Sequence, residues 1–67
     1  MIHYMPDVLK AMNDAVAANP DLQVAVIEDF VHLVSAENEE LMEQYEQKGH
    51  LLVEIKIIGD RLFGVFF

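Results

Sequence analysis

The chain has 67 residues, of which 54% are hydrophobic, and its 12 acidic and 4 basic residues give a formal net charge of −8 at pH 7. This hydrophobic content is too high for a disordered acidic tail, and the absence of cysteine excludes disulfides and thiolate metal sites. The four basic residues are scattered along the chain, so direct binding to nucleic acids or to anionic membranes is not expected.

The length predicts a single domain, residues 1–67, near the lower size limit for independent folding. Domains this short usually need disulfides, a metal or a partner subunit for a safe margin of stability. Because cysteine is absent and apolar residues are abundant, we expect some surface to be buried between subunits or against a partner, and a homodimer is the simplest arrangement. The first residues do not resemble a signal peptide, and no apolar run is long enough to span a bilayer, so the expected location is cytoplasmic.

The chain is expected to begin with a short amphipathic helix. Residues 2–5 alternate like a strand and are a candidate third strand for a sheet formed later in the chain. Pro6 then favours a helix start. The apolar positions from Val8 to Val16 follow helical spacing, which predicts a helix over about residues 7–18.

A second, longer helix is predicted to follow. Asn19 and Pro20 form a helix-start signal, and apolar residues recur at helical spacing from Val24 to Tyr45. The pattern predicts one helix over about residues 20–48, ended by Gly49. With so short a connection, the two helices should fold back as an antiparallel helical hairpin.

The last part of the chain is predicted to form a β-hairpin. Strands over about residues 50–58 and 61–67 are joined by Gly59-Asp60, a typical two-residue turn. One face should cover the helices, with Leu51, Val53, Ile55, Ile57, Leu62 and Phe66 on it. The other face would then carry Glu54, Lys56, Ile58, Arg61, Phe63, Val65 and Phe67. The predicted fold class is therefore α+β, a helical hairpin followed by a β-hairpin.

Two surfaces are candidates for binding a partner protein. On the predicted outer face of the hairpin, Phe63, Val65 and Phe67 have no evident use in the internal core. The second surface is the glutamate-rich helix, where Glu39, Glu43 and Glu46 share one stripe with Tyr45 at the edge of the apolar seam. This stripe is either a solvated face that maintains solubility or a docking site for a basic partner, including mimicry of a nucleic-acid backbone.

The residues that could support catalysis are few. The sequence contains neither a phosphate-binding loop nor a dinucleotide-binding motif, and Ser35 with His32 would be a minimal pair without an orienting acid. On a helix, Glu28, Asp29 and His32 would resemble half of a metal site, which His3, His50 or a dimer mate would have to complete. A polar side of an apolar helix is the favoured interpretation of these three residues. We therefore expect no catalytic residue, metal or cofactor.

These observations favour a small, acidic, non-enzymatic protein-binding module. We expect an inhibitor or adaptor of the kind that phages and plasmids encode, which binds a larger protein through an acidic helix and an apolar hairpin. One alternative is a nucleic-acid mimic that blocks a DNA- or RNA-handling enzyme. The other is a metal-dependent enzyme, or an enzyme subunit, that uses Glu28, Asp29 and His32.

Overall fold

The computed structural model describes residues 5–67 and shows an α+β chain whose elements follow an order different from the predicted one. The elements are α1 (Pro6–Ala18), β1 (Val24–Glu28), β2 (Val31–Ser35), α2 (Glu39–Gln47), β3 (Leu52–Ile58) and β4 (Arg61–Phe66). The four strands form one antiparallel sheet in the order β1-β2-β4-β3. The chain therefore alternates helix, hairpin, helix, hairpin. Neither helix within residues 5–67 has the length and hydrophobicity that crossing a membrane requires.

The prediction of a helical hairpin is wrong because residues 24–35 form the β1–β2 hairpin and not the first half of a long helix. Nine of the 13 positions from Leu22 to Val34 are apolar, and this run fits both a helical period and a strand period. Many of these residues are β-branched, which favours strands. Pairing of β2 with β4 on its other edge then places β2 inside the sheet, where its backbone groups are hydrogen-bonded on both sides.

The predictions of the short first helix and of the C-terminal hairpin are confirmed. Helix α1 spans Pro6–Ala18 with proline in its first turn. Strands β3 and β4 pair in the predicted register near the turn, with Ile57 opposite Leu62 and Ile58 opposite Arg61. Gly59 has a φ of 66°, as the first residue of a type II′ turn requires.

The candidate strand at residues 2–5 includes only one described residue, Met5. Residues 2–4 lie outside the described residues. Met5 is the N-cap of α1, and its carbonyl accepts hydrogen bonds from the backbone N–H groups of Val8 and Leu9.

The two helices pack on opposite faces of the sheet, which the sequence did not indicate. Helix α1 covers one face, here called the α1 face, and the core there consists of Val8, Met12, Val31, Leu33, Ile58, Phe63 and Val65. Side chains alternate between faces along a strand, so Val34 and Phe66 lie on the opposite face, where Tyr45 of α2 contacts Phe66. This second face is the α2 face.

Because both faces hold a core, the predicted assignment of inner and outer hairpin faces is wrong. Phe63 and Val65 were expected on the outside but are completely buried beneath α1. Ile55 and Ile57 were expected to cover the helices but are exposed. The prediction placed both helices on one face, whereas the sheet separates them.

Candidate interaction surface

The α2 face of the β3–β4 hairpin carries an exposed apolar patch. It consists of Ile55, Ile57 and Leu62, which are 45%, 74% and 39% exposed. Ile57 and Leu62 are direct cross-strand partners, and Ile55 lies two residues along β3 on the same face. Three large apolar side chains are therefore contiguous and in contact with solvent, an arrangement that often marks an interaction site.

The patch is uncovered because α2 is too short and too centrally placed to reach it. A helix of nine residues is only about 13 Å long. Its contacts lie over the middle of the sheet, where the Tyr45 ring is 5.6 Å from that of Phe66 and the Met42 side chain lies against Gly64. A Cβ at Gly64 would be 2.8 Å from both Sδ and Cε of Met42, so the missing side chain lets α2 approach closely.

Helix α2 exposes an acidic surface beside this patch. Asn38 caps the helix by accepting a hydrogen bond of 3.1 Å from the N–H of Leu41. Leu41, Met42 and Tyr45 are half-buried against the sheet, and this orientation leaves the helix's glutamates in solvent. The acidic surface consists of Glu39, Glu40, Glu43 and Glu46, all exposed.

The acidic surface and the apolar patch are connected through Glu37. Its carboxylate accepts a hydrogen bond of 3.5 Å from the N–H of Leu62 and lies 3.9 Å from the Arg61 guanidinium. Both contacts are long and exposed, and such surface ion pairs contribute about 0–1 kcal/mol. Glu37 therefore adds negative charge at the border of the patch and little stability.

The sequence-predicted contact residues have different fates in the structure. The predicted glutamates Glu39, Glu43 and Glu46 lie together on the exposed side of α2. By contrast, Phe63 and Val65 belong to the α1-face core and are inaccessible to a partner.

The remaining two candidates are partly occupied by internal contacts. The Tyr45 ring is half-buried against Phe66, and Phe67 is partly exposed with its ring 5.6 Å from that of Phe30. The sequence did not single out Ile55, Ile57 and Leu62 as surface residues. When both faces of a hairpin are apolar, the alternation of side chains between the faces does not show which face a helix will leave exposed to solvent.

A cluster of aromatic and histidine rings connects α2 to the sheet and to the segment that follows the helix. The His32 ring is 4.6 Å from that of His50 and 5.6 Å from that of Tyr45. Lys48 lies 5.2 Å from the Tyr45 ring centroid, and Nδ1 of His50 is 3.3 Å from the carbonyl oxygen of Phe67. Nδ1 of His32 is buried without a hydrogen-bond partner among residues 5–67.

The protein is expected to lose stability in mild acid because of His32. Partial burial, and in smaller measure the charge of His50, lower the pKa of His32 below 6.5, the value of a free histidine. The unfolded chain therefore binds the proton more tightly, and the free energy of unfolding falls as the pH drops through 6.5 toward the lowered pKa. Thermal unfolding of the wild type and His32→Phe between pH 5 and 8 measures this contribution.

His32→Phe keeps an aromatic ring and removes the titration, so its melting temperature should depend less on pH than that of the wild type. His50→Gln removes only the smaller cause, and it should keep part of the dependence. Equal acid-induced losses in the wild type and His32→Phe would contradict this assignment.

The structure places the residues of the chemical alternatives differently from the arrangement considered from the sequence. Ser35 and His32 lie three positions apart on β2, so their side chains point to opposite faces of the sheet. Glu28 is the last residue of β1, and Asp29 lies in the turn that follows. Neither residue is therefore one helical turn before His32, as the metal-site alternative requires. Residues 5–67 contain no group of three histidine, aspartate or glutamate side chains arranged to hold a metal ion.

Comparisons with known proteins do not identify this chain. No protein family, no curated protein and no solved structure gave a match.

Proposed function

We propose that this chain is a small, non-enzymatic protein-binding module, an inhibitor or adaptor that binds a larger protein in the cytoplasm. The observation that supports this proposal is the exposed apolar patch of Ile55, Ile57 and Leu62 beside the acidic helix α2. Contiguous apolar surface contributes to association when a partner covers it, because water is released from it. The neighbouring glutamates restrict which partners can approach.

The partner we propose has an apolar contact region with a basic rim. Apolar side chains would cover the patch, while lysine or arginine would approach Glu37 and the acidic surface of α2. Complementary charge mainly accelerates encounter and selects the partner, whereas burial of the apolar centre provides affinity. Loss of the patch and loss of the charges should therefore have different consequences.

Mimicry of a nucleic acid is the alternative within this proposal. Four glutamates exposed on a nine-residue helix, with no basic residue in its last turn, offer closely spaced negative charge to a groove that normally binds phosphates. In that case the charges would dominate affinity, and binding would weaken steeply with salt.

The test uses the immobilised full chain and a lysate of its source cells, with retained proteins identified by mass spectrometry. The decisive comparison is between Ile57→Ser and the matched control Val26→Ser, which changes an exposed valine on the other edge strand. The retained protein is then purified and titrated. Ile57→Ser is expected to weaken its binding about tenfold or more, or about 1.4 kcal/mol, as for a central contact residue.

Val26→Ser should leave binding unchanged, and the double variant Glu43→Gln, Glu46→Gln should reduce it less than Ile57→Ser does. A larger effect of the glutamate variant, with steep salt dependence, would favour nucleic-acid mimicry over docking through the patch. If no protein distinguishes the wild type from Ile57→Ser, the proposed function is wrong.

A further inference from the structure

The outer edge of β3 is a second exposed feature, formed by the backbone of the strand that also carries Ile55 and Ile57 of the apolar patch. In the order β1-β2-β4-β3, β3 lies at one end of the sheet, and within residues 5–67 no strand pairs with its outer side. The two-residue turn makes Ile58 and Arg61 the hydrogen-bonded closing pair of the hairpin. Hydrogen bonding alternates along an antiparallel pair, so the backbone N–H and C=O groups of Ile57 and Ile55 point outward. This edge can accept another strand.

The side chains of β3 are self-complementary about Ile55. Glu54 and Lys56 flank Ile55 and lie on the α1 face, half-buried, where neither forms an ion pair with another described residue. If two β3 strands pair antiparallel about Ile55, Glu54 of each faces Lys56 of the other. A shift of the axis to Lys56 would instead place two lysines opposite each other. The charges therefore favour the register centred on Ile55 over the one centred on Lys56.

The same register also satisfies the backbone. Pairing about Ile55 makes the two Ile55 residues a hydrogen-bonded pair, which uses the outward N–H and C=O groups. The Glu54–Lys56 pairs then occupy the non-hydrogen-bonded positions, where cross-strand side chains approach most closely. Charge and backbone geometry therefore agree on a single arrangement.

We propose that two copies of this chain associate through β3, antiparallel about a two-fold axis at Ile55. The two four-stranded sheets become one continuous sheet of eight strands. The apolar patches of the two copies meet at the axis, so Ile55 of each copy packs beside Ile55 of the other. The dimer is independent of the proposed function, because it needs no partner protein.

The other edge strand is a poorer candidate. Both edge strands pair irregularly at one point, β3 between Leu52 and Glu54 and β1 between Val26 and Glu28, but β1 has only five residues. Its one charged residue is Glu28, so two β1 strands would bring like charges together without a compensating cation.

Charge reversal on β3 tests the dimer in the absence of any partner protein. The mass in solution is measured by light scattering and sedimentation from micromolar to millimolar concentration, where we expect the wild type to be a dimer. Lys56→Glu and Glu54→Lys each place two like-charge pairs across the axis, and each should raise the dissociation constant about tenfold or more. The double variant Glu54→Lys, Lys56→Glu restores both pairs and should recover the dimer.

Lys10→Glu is the matched control for Lys56→Glu, because it makes the same charge change on the exposed side of α1 and should leave the dimer intact.

Hydrogen exchange of the wild type gives a second measurement, since the amides of Ile55 and Ile57 should become more protected as concentration rises. The proposal would be overturned if the wild type stayed monomeric at millimolar concentration and its amides stayed unprotected. Lys56 would then be a charge that protects the sheet edge from association. A dimer that tolerates both single reversals would overturn it as well. Because Glu54 and Lys56 point away from the apolar patch, failure of the dimer leaves the Ile57→Ser test of function unaffected.

Discussion

Phe63→Ala is expected to unfold most of the protein or to lower its melting temperature by tens of degrees. The Phe63 side chain is completely buried in the core beneath α1, together with Val65 and Leu33. Removing a buried phenylalanine ring costs about 3–5 kcal/mol, because apolar contacts are lost and a cavity remains. A domain of this size has a total stability of only about 3–10 kcal/mol. At about 4–8 °C per kcal/mol, the expected decrease in melting temperature is about 12–40 °C.

Ile57→Ala is the matched control for this experiment, since it also truncates a large apolar side chain of the same hairpin. Ile57 is mostly exposed, so its truncation should change the free energy of unfolding by less than about 0.5 kcal/mol. Urea denaturation followed by circular dichroism measures both variants. If Ile57→Ala were the more destabilising change, the faces of the hairpin would be opposite to those described.

Met12→Ala is also expected to be strongly destabilising. Met12 is fully buried where α1 packs on the sheet, and truncation of a buried methionine to alanine costs about 2–5 kcal/mol. Helix propensity cannot account for such a loss, because alanine is the better helix former. The measurement is the urea midpoint, with the slope of the transition compared to confirm that the variant unfolds in the same two-state manner.

Met5→Ala makes the same chemical change at the start of the same helix. Met5 is 67% exposed, so this variant should unfold within about 0.5 kcal/mol of the wild type. Similar losses for Met12→Ala and Met5→Ala would show that α1 does not pack on the sheet through Met12.

These two experiments also separate stability from binding. Phe63 was a predicted contact residue, and loss of partner binding in Phe63→Ala would follow from unfolding alone. Ile57→Ser and the charge variants of β3 change exposed or half-buried side chains and should leave the fold intact. Only variants of the second kind report on the surface.

The candidate surface was only partly predictable. The helical spacing of Glu39, Glu43 and Glu46 can be recognised from neighbouring residues alone. Their exposure requires only that a helix form there with its apolar side against the sheet. The apolar patch depends on how far α2 reaches over the sheet. The length of α2 was overestimated, because the predicted helix included the residues of β1 and β2.

Local signals were enough to determine α1 and the C-terminal hairpin. A proline at the helix start, helical spacing of apolar residues and a Gly-Asp turn each act within a few residues, so their reading does not depend on the rest of the chain. Tertiary structure alone decided the conformation of residues 24–35. Their apolar pattern fits both the helical and the strand period, and the strand form depends on pairing between β2 and β4, which joins residues as distant as His32 and Phe66. It also decided which hairpin residues are buried. Both faces of β4 are apolar, and only the placement of one helix on each side buries Phe63 and leaves Ile57 in water.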